Sequence, residues 1–228
     1  MDSRLEELTR RADALYDGRG RAGNVRASVP LLEEAADEYE AAWRMGRALF
    51  FLGQEAQDKE ETRAHHARGV FISERAARLA PRRVEGHFWL GVNLALLAQT
   101  ERPLKALRHA LRARRSLVRA ARLDPTYHAA GPLRVLARLQ HKLPRLAGGG
   151  TRRARANFER AVKLAPANTV TRLYFAEMLL ETGDTGRARA ELEALLNAPH
   201  EASWAFESER DRERARRMLG EMERRSSG

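Results

Sequence analysis

A chain of 228 residues, 43% hydrophobic and 32% charged, has the composition of an ordinary folded protein with enough apolar side chains for a sizeable core, which excludes a disordered polyelectrolyte. Its formal charge of +11 includes only four lysines (Lys59, Lys105, Lys142, Lys163) among 42 basic residues, so arginine dominates, either as a solvated coat or as a face for an anionic partner. The absence of cysteine excludes disulfides, thiol nucleophiles and thiolate metal sites, and the longest apolar runs, near Phe88 to Ala98 and Leu49 to Leu52, fall far short of the roughly 20 residues that a membrane-spanning helix needs.

Apolar residues recur three and four apart almost throughout, and no stretch alternates as a strand would, so the prediction is all-α. The first 38 residues read as a helix pair. Its opening, MDSRLEELTRRADALYDG, has no apolar core and no small-residue cleavage site, so the expected location is cytoplasmic, or periplasmic if an export signal has been removed. Next comes YEAAWRMGRALFFLG, then a helix ending in GVFISERAARLAP at Pro81. VEGHFWLGVNLALLA leads to ARRSLVRAARLDP at Pro125, HAAGPLRVLARLQHK to ARANFERAVKLAP at Pro166, and TVTRLYFAEMLLETG to ARAELEALLNAP at Pro199. The tail, ESERDRERARRMLGEMERR, alternates charge as a polar capping helix does, with Trp204 and Phe206 expected to pin the loop before it.

The three phrases ending at Pro81, Pro125 and Pro166 superimpose without gaps. A small residue (Gly69, Ala113, Ala154) is followed by Ser73, Leu117 or Phe158, then by Ala76, Ala120 or Ala161, then by Leu79, Leu123 or Leu164. Such positions share a helix face, where a small side chain admits the neighbouring helix and the proline ends the segment. The intervening helices carry large-small pairs at one register, Met45-Gly46, Leu90-Gly91 and Phe175-Ala176, and Gly53 and Gly183 suit left-handed helix ends. Trp89 and Leu90 are expected between helices, with Gly91 admitting a neighbour. This pattern resembles the tetratricopeptide repeat (TPR), which implies a TPR-like right-handed α-solenoid of antiparallel helix pairs. The 167–199 unit matches best, departing at Leu195, where alanine is usual.

The expected organisation is one domain over 1–228: a helix pair at 1–38, enlarged units at 39–81, 82–125 and 126–166, a regular unit at 167–199 and a cap at 200–228. The closing prolines lie 44, 41 and 33 residues apart, against about 34 for a regular unit. The extra residues fall between the helices of each pair, in QEAQDKEETRAHHA, QTERPLKALRHALR and LPRLAGGGTRRA, and are expected to gather on one edge.

Enlarged repeats, the leading ADALYDGR, AAWRMGRALFFLG, VEGHFWLGVNLALLA, the GGG and the tail SWAFESERDRERARRML together resemble the TatT family, the TPR component of TRAP-type transporters, and loosely the regulators of microtubule dynamics. The TatT resemblance implies an extracytoplasmic partner of a solute-binding protein, with a channel for apolar ligands. On the TPR register, Trp43, Arg47, Phe88, Val92, Leu173 and Glu177 face the concave groove, together with Glu40, Phe50 and Leu136. Clustered cations that would grip a terminal carboxylate are not expected there. An apolar segment or a small apolar molecule would suit Trp43 and Phe88 better, unless the insertions fold over the groove and make it core.

The expectation is a non-catalytic protein-protein interaction scaffold with no cofactor. His65 and His66 are adjacent and point about 100° apart, so they cannot share a metal as an i, i+4 pair could. Gly148, Gly149 and Gly150 lack the Gly-Lys-Ser/Thr ending of a phosphate loop, and with Thr151 as a helix cap they read as a connection. The alternative function is an anion-binding adaptor for nucleic acid or anionic membrane. Arg108, Arg112, Arg115 and Arg119 recur along one face of the helix expected at 103–123, yet no aromatic residue interrupts the stripe to stack on bases.

Overall fold

The computed structural model describes residues 3–226. Among these the chain forms eleven α-helices, two short 3-10 turns and no strand, an all-α TPR-like array of helix pairs. It divides into two compact units, Met1–Tyr127 and His128–Gly228.

Unit 1 contains α1 (Ser3–Asp17), α2 (Asn24–Glu33), α3 (Tyr39–Glu55), α4 (Lys59–Leu79), α5 (Val84–Thr100) and α6 (Pro103–Leu123). Consecutive helices pack on one another, and α3 also packs on both α1 and α5, so α1, α3 and α5 form one layer and α2, α4 and α6 the other. The second layer is stitched by ion pairs: Arg26 to Glu61 at 3.0 Å, Arg68 to Glu33, Arg75 to Asp37, and Arg112 to Glu74 at 2.9 Å. These pairs are partly or wholly solvated and each contributes little, about 0–1 kcal/mol. Apolar burial holds the unit together, with Phe88, Trp89, Leu49, Leu94 and Leu117 essentially sealed from solvent, each stabilising by roughly 1.5–3 kcal/mol or more.

α7 (Tyr127–Lys142) crosses the boundary between the units and continues into unit 2, which holds α8 (Thr151–Leu164), α9 (Thr169–Glu181), α10 (Thr185–Leu196) and α11 (Ala205–Ser226). α8 and α10 pack on α9, and α11 closes against α9 and α10. Leu195 explains its departure from alanine here: it is fully buried with Leu173, Ala176 and Leu192 against Ala215 of α11, so the small residue has moved to the facing helix.

The proline-aligned register is visible in the backbone. α4, α6 and α8 end at Leu79, Leu123 and Leu164, and the next N–H (Ala80, Asp124, Ala165) donates to the carbonyl of Ala76, Ala120 or Ala161 at 3.1, 2.9 and 2.9 Å. The first three positions of the motif are buried in every copy, whereas Leu79 and Leu164 are exposed. At the helix end the side chain has already turned off the packed face.

In the first two enlarged units the added length is helical: α4 and α6 have 21 residues and α3 and α5 have 17, against 12 for α10 and 13 for α9, whereas in the third it includes the connection between Lys142 and Thr151. Two expectations need correction. Gly183 is left-handed, with φ 82°, but Gly53 lies inside α3, where an added Cβ would come within 2.5 Å of the His66 ring. Its role is close approach. The cap of α8 is Gly150, at φ 127°, with no side-chain bond from Thr151.

Candidate functional site

The glycine register builds a polar seam inside unit 1. Gly46 of α3 leaves room for Ser73, Gly69 of α4 for Asn93, and Gly91 of α5 for Leu117. Asn93 Nδ2 donates to the Gly46 and Trp89 carbonyls at 3.0 and 2.9 Å, and its Oδ1 lies 3.2 Å from His66 Nδ1. His66 Nε2 is buried with no hydrogen-bond partner. Burial pushes the imidazole pKa down, outweighing the Asn93 contact.

On the α1, α3 and α5 layer, Asp13 accepts from Arg44 at 2.9 Å and from Arg47 at 2.6 Å. Glu40 accepts from Arg44 at 2.7 Å, Arg83 at 2.5 Å and Trp43 Nε1 at 2.9 Å. Burial disfavours the Glu40 carboxylate, but these donors hold its pKa below the usual range. The Arg47 guanidinium lies 3.9 Å from the Tyr16 ring centroid and 5.2 Å from that of Trp43. Arg83 also reaches Glu85 at 2.6 Å, which accepts from Tyr39 at 2.7 Å. Three carboxylates thus meet three arginines, giving a fixed, charge-balanced polar face.

Trp43 and Arg47 therefore come together within that face, Trp43 buried and the Arg47 side chain 15% exposed. Phe88 and Val92 do not join them at the surface: they are 1% and 5% exposed, and Phe88 packs edge-to-face on Trp89 and Tyr127 at 4.8 and 5.3 Å. A partner cannot reach either residue in this conformation. Trp89, also 1% exposed, donates to the Tyr127 hydroxyl at 3.1 Å, which answers the packing expectation, although Leu90 stays partly exposed.

In unit 2, Leu173 is likewise core, at 3% exposure. Glu177 is largely buried and bracketed by Arg138 of α7 at 3.0 Å and Arg214 of α11 at 2.8 Å. A turn further along α9, Glu181 takes His141 at 2.7 Å and Lys142 at 2.6 Å. Beneath these charges Phe158, Tyr174, Met178 and Met218 floor a cleft of about 350 Å³. Clustered cations were not expected on these helices. Arg138, His141 and Lys142 on one helix gave a signal at spacings of three and four; Arg214, from the distant cap, gave none.

Deeper in unit 2, α7 opens with three consecutive left-handed residues, His128, Ala129 and Ala130, at φ 51°, 52° and 58°. None is glycine, and such backbone costs roughly 1–2 kcal/mol per residue. Arg134 supports it from within: it is buried, and its Nη1 donates to Ala129 O at 3.0 Å and to Asn168 Oδ1 and Thr171 Oγ1 at 3.2 Å. Burial pushes its pKa down to about 10, so it stays charged at neutral pH. Trp204 lies over it at 5.6 Å and meets the His128 ring at 4.8 Å.

The α6 arginines split. Arg112 is held by Glu74 and Arg119 donates to Pro81 O at 3.3 Å, while Arg108 and Arg115 are exposed without an ion-pair partner among the described residues. Leu104 and Leu107 are exposed on the same helix. Among the described residues no three His, Asp or Glu side chains group as a metal site, and no helix is long and apolar enough to cross a membrane.

A family model described as TRAP transporter T-component matches residues 33–224. No curated protein matches the chain. Among solved structures, a thermophilic TPR protein of Thermus thermophilus is similar over 91% of this chain and 98% of its own, with 20% identity and a TM-score of 0.65, a likeness of fold. A de novo designed helical repeat protein aligns over 99% of this chain and 97% of its own at 19% identity, but with a TM-score of only 0.22.

Proposed function

The chain belongs to the TRAP transporter T-component family, and from that premise we propose that it is a non-catalytic helical scaffold that docks a protein component of such a transporter, with the solute-binding component as the partner. The family match over most of the chain carries this reading. It also favours an extracytoplasmic location over the cytoplasmic one. The docking surface proposed in unit 1 is the α1, α3 and α5 layer, where the ion-pair and cation-π lattice around Asp13, Glu40 and Arg47 presents a preorganised polar face. Glu177, held between Arg138 and Arg214, is the corresponding group proposed in unit 2. Phe88, Val92 and Leu173 act from below by fixing the helices that carry these groups.

Titration of the purified chain with the solute-binding component of its own transporter tests this. Saturable binding weakened about tenfold or more by Arg47→Ala, with the helical spectrum intact, is expected. No binding, or binding indifferent to Arg47→Ala and Glu177→Ala, contradicts the assignment.

A second reading, an anion-binding face on α6, has in its favour Arg108 and Arg115, exposed and without an ion-pair partner among the described residues. It requires binding to RNA, DNA or anionic vesicles that falls steeply with salt and is lost in Arg108→Gln/Arg115→Gln.

A further inference from the structure

The outer side of α6 combines two kinds of side chain that a merely solvated helix would keep apart. From Pro103 to Leu123 the helix carries seven lysines and arginines and no carboxylate. The carboxylates nearest to it are engaged: Glu74 of α4 meets Arg112 at 2.9 Å, Glu101 accepts from Arg63 at 2.9 Å, and Asp124 accepts from Thr126 Oγ1 at 2.6 Å. Arg108, Arg115 and Arg122 are exposed, with no ion-pair partner among the described residues. Ala110, Ala113, Leu117 and Ala120 form the packed side of the helix. Opposite them, steps of four and three give Leu104, Arg108, Leu111, Arg115, Val118 and Arg122, a row in which apolar side chains and cations alternate and none is buried. Leu104 is 66% exposed and Leu107, beside it, 39%. Phe71 of α4, one turn before Glu74, is 68% exposed, and the Glu74 to Arg112 ion pair joins the two helices on this side of the layer.

We propose, building on the anion-binding reading of α6, that this side of unit 1 docks on an anionic bilayer surface. Leu104, Leu107 and Phe71 enter the headgroup region, and Arg108, Arg115 and Arg122 meet lipid phosphates. The alternation favours a membrane over nucleic acid. A nucleic-acid backbone would engage the arginines and leave the leucines in water, and α6 has no aromatic ring to stack on bases. A bilayer surface uses both kinds: arginine stems lie along the apolar boundary with their guanidiniums among the phosphates, while leucine and phenylalanine reach past them. Charge complementarity and apolar burial then act together, giving a reversible attachment rather than a membrane span.

The test is flotation of the full purified chain with vesicles of equal parts phosphatidylcholine and phosphatidylglycerol, and with vesicles of phosphatidylcholine alone. Partition onto the anionic vesicles is expected, at least about tenfold stronger than onto the neutral ones and weakened by salt. Arg108→Gln/Arg115→Gln and, separately, Leu104→Gln/Leu107→Gln should each weaken it at least about tenfold. Circular dichroism should be unchanged, because all four side chains are exposed. Arg10→Gln/Arg11→Gln, on the exposed side of α1, removes the same charge as the α6 arginine pair and should leave partition as it is. Vesicle binding indifferent to the leucine pair, or binding of RNA or DNA but not vesicles through the same arginines, overturns the membrane assignment and leaves the anion-binding face standing. Equal partition onto neutral vesicles, equal loss in the α1 variant, or no binding of either vesicles or nucleic acid overturns both.

Discussion

Three glycines should respond to the same substitution with different signs. An alanine Cβ at Gly86, in the first turn of α5, would lie 2.6 Å from Ala77 N, 2.9 Å from Ala76 C and 3.0 Å from Ala77 Cα. All three are backbone atoms of α4, so no side chain can step aside and the helices must part. Overpacking of this kind costs about 1–3 kcal/mol. The helix-propensity gain from alanine offsets up to about 1 kcal/mol of that, less in a first turn. The expected net loss for Gly86→Ala is therefore about 1–2 kcal/mol. At Gly91 the nearest atoms are Leu117 Cγ and Cδ2, at 2.6 and 2.9 Å, and a leucine rotamer change can yield, so the loss should be smaller. At Gly186, also in a first turn, that of α10, nothing lies within 4 Å, so alanine should stabilise by about 0.5 kcal/mol. Urea unfolding followed by circular dichroism at 222 nm reads the order directly. Gly86→Ala matching or exceeding Gly186→Ala in stability would refute the claim that α4 and α5 meet backbone to backbone.

Acidification should weaken unit 1 through His66, whose pKa is lowered by burial from a reference of 6.5. The unfolded chain takes up the proton first, so the contribution of neutral His66 is complete above about pH 6.5 and is lost as pH falls below it; unfolding midpoints in urea should drop from pH 7 to 5, and less so in His66→Gln. Glu40, whose pKa is lowered, contributes above about pH 4.5 and loses that contribution as pH falls further, so Glu40→Gln should flatten the acid limb while leaving the His66 window intact. Ala129→Gly should stabilise unit 2 by about 0.5–1 kcal/mol, because φ 52° strains alanine and not glycine; a loss of about 1 kcal/mol, normal for glycine inside a right-handed helix, would show that the turn is not left-handed. Arg134→Met should cost about 2 kcal/mol or more in thermal or urea unfolding by removing the donor to Ala129, Asn168 and Thr171; a neutral result would mean that the turn stands without it.

What could be read in the chain was whatever repeats. Gly69, Ala113 and Ala154, and the alanines that follow, could be recognised because one close approach recurs three times. Their common helix ends at Leu79, Leu123 and Leu164 followed from the proline register. Periodicity could not tell whether Phe88, Val92 and Leu173 face a groove or a core, since both require apolar residues at the same spacing and only the third dimension separates them. The role of Gly53 is hidden for a related reason: a glycine near a helix end signals either a left-handed turn or a close neighbour, and the neighbour, His66, lies on the next helix. The left-handed turn at His128 to Ala130 carries no glycine to announce it. It depends on a buried arginine four residues beyond it and on Asn168 and Thr171 from another helix. The cleft combines Arg138, His141 and Lys142, visible on α7, with residues contributed by α8, α9 and α11, among them Arg214, an assembly that no local spacing encodes.

Hydrogen–deuterium exchange of the chain with and without the solute-binding component of its transporter tests the central claim most directly, because it reports both whether docking occurs and where. The account predicts slowed exchange on binding in the peptides of α1, α3 and α5 around Asp13, Glu40 and Arg47, and around Glu177 of α9. Unchanged exchange at saturating partner, or protection confined to α6, would contradict it.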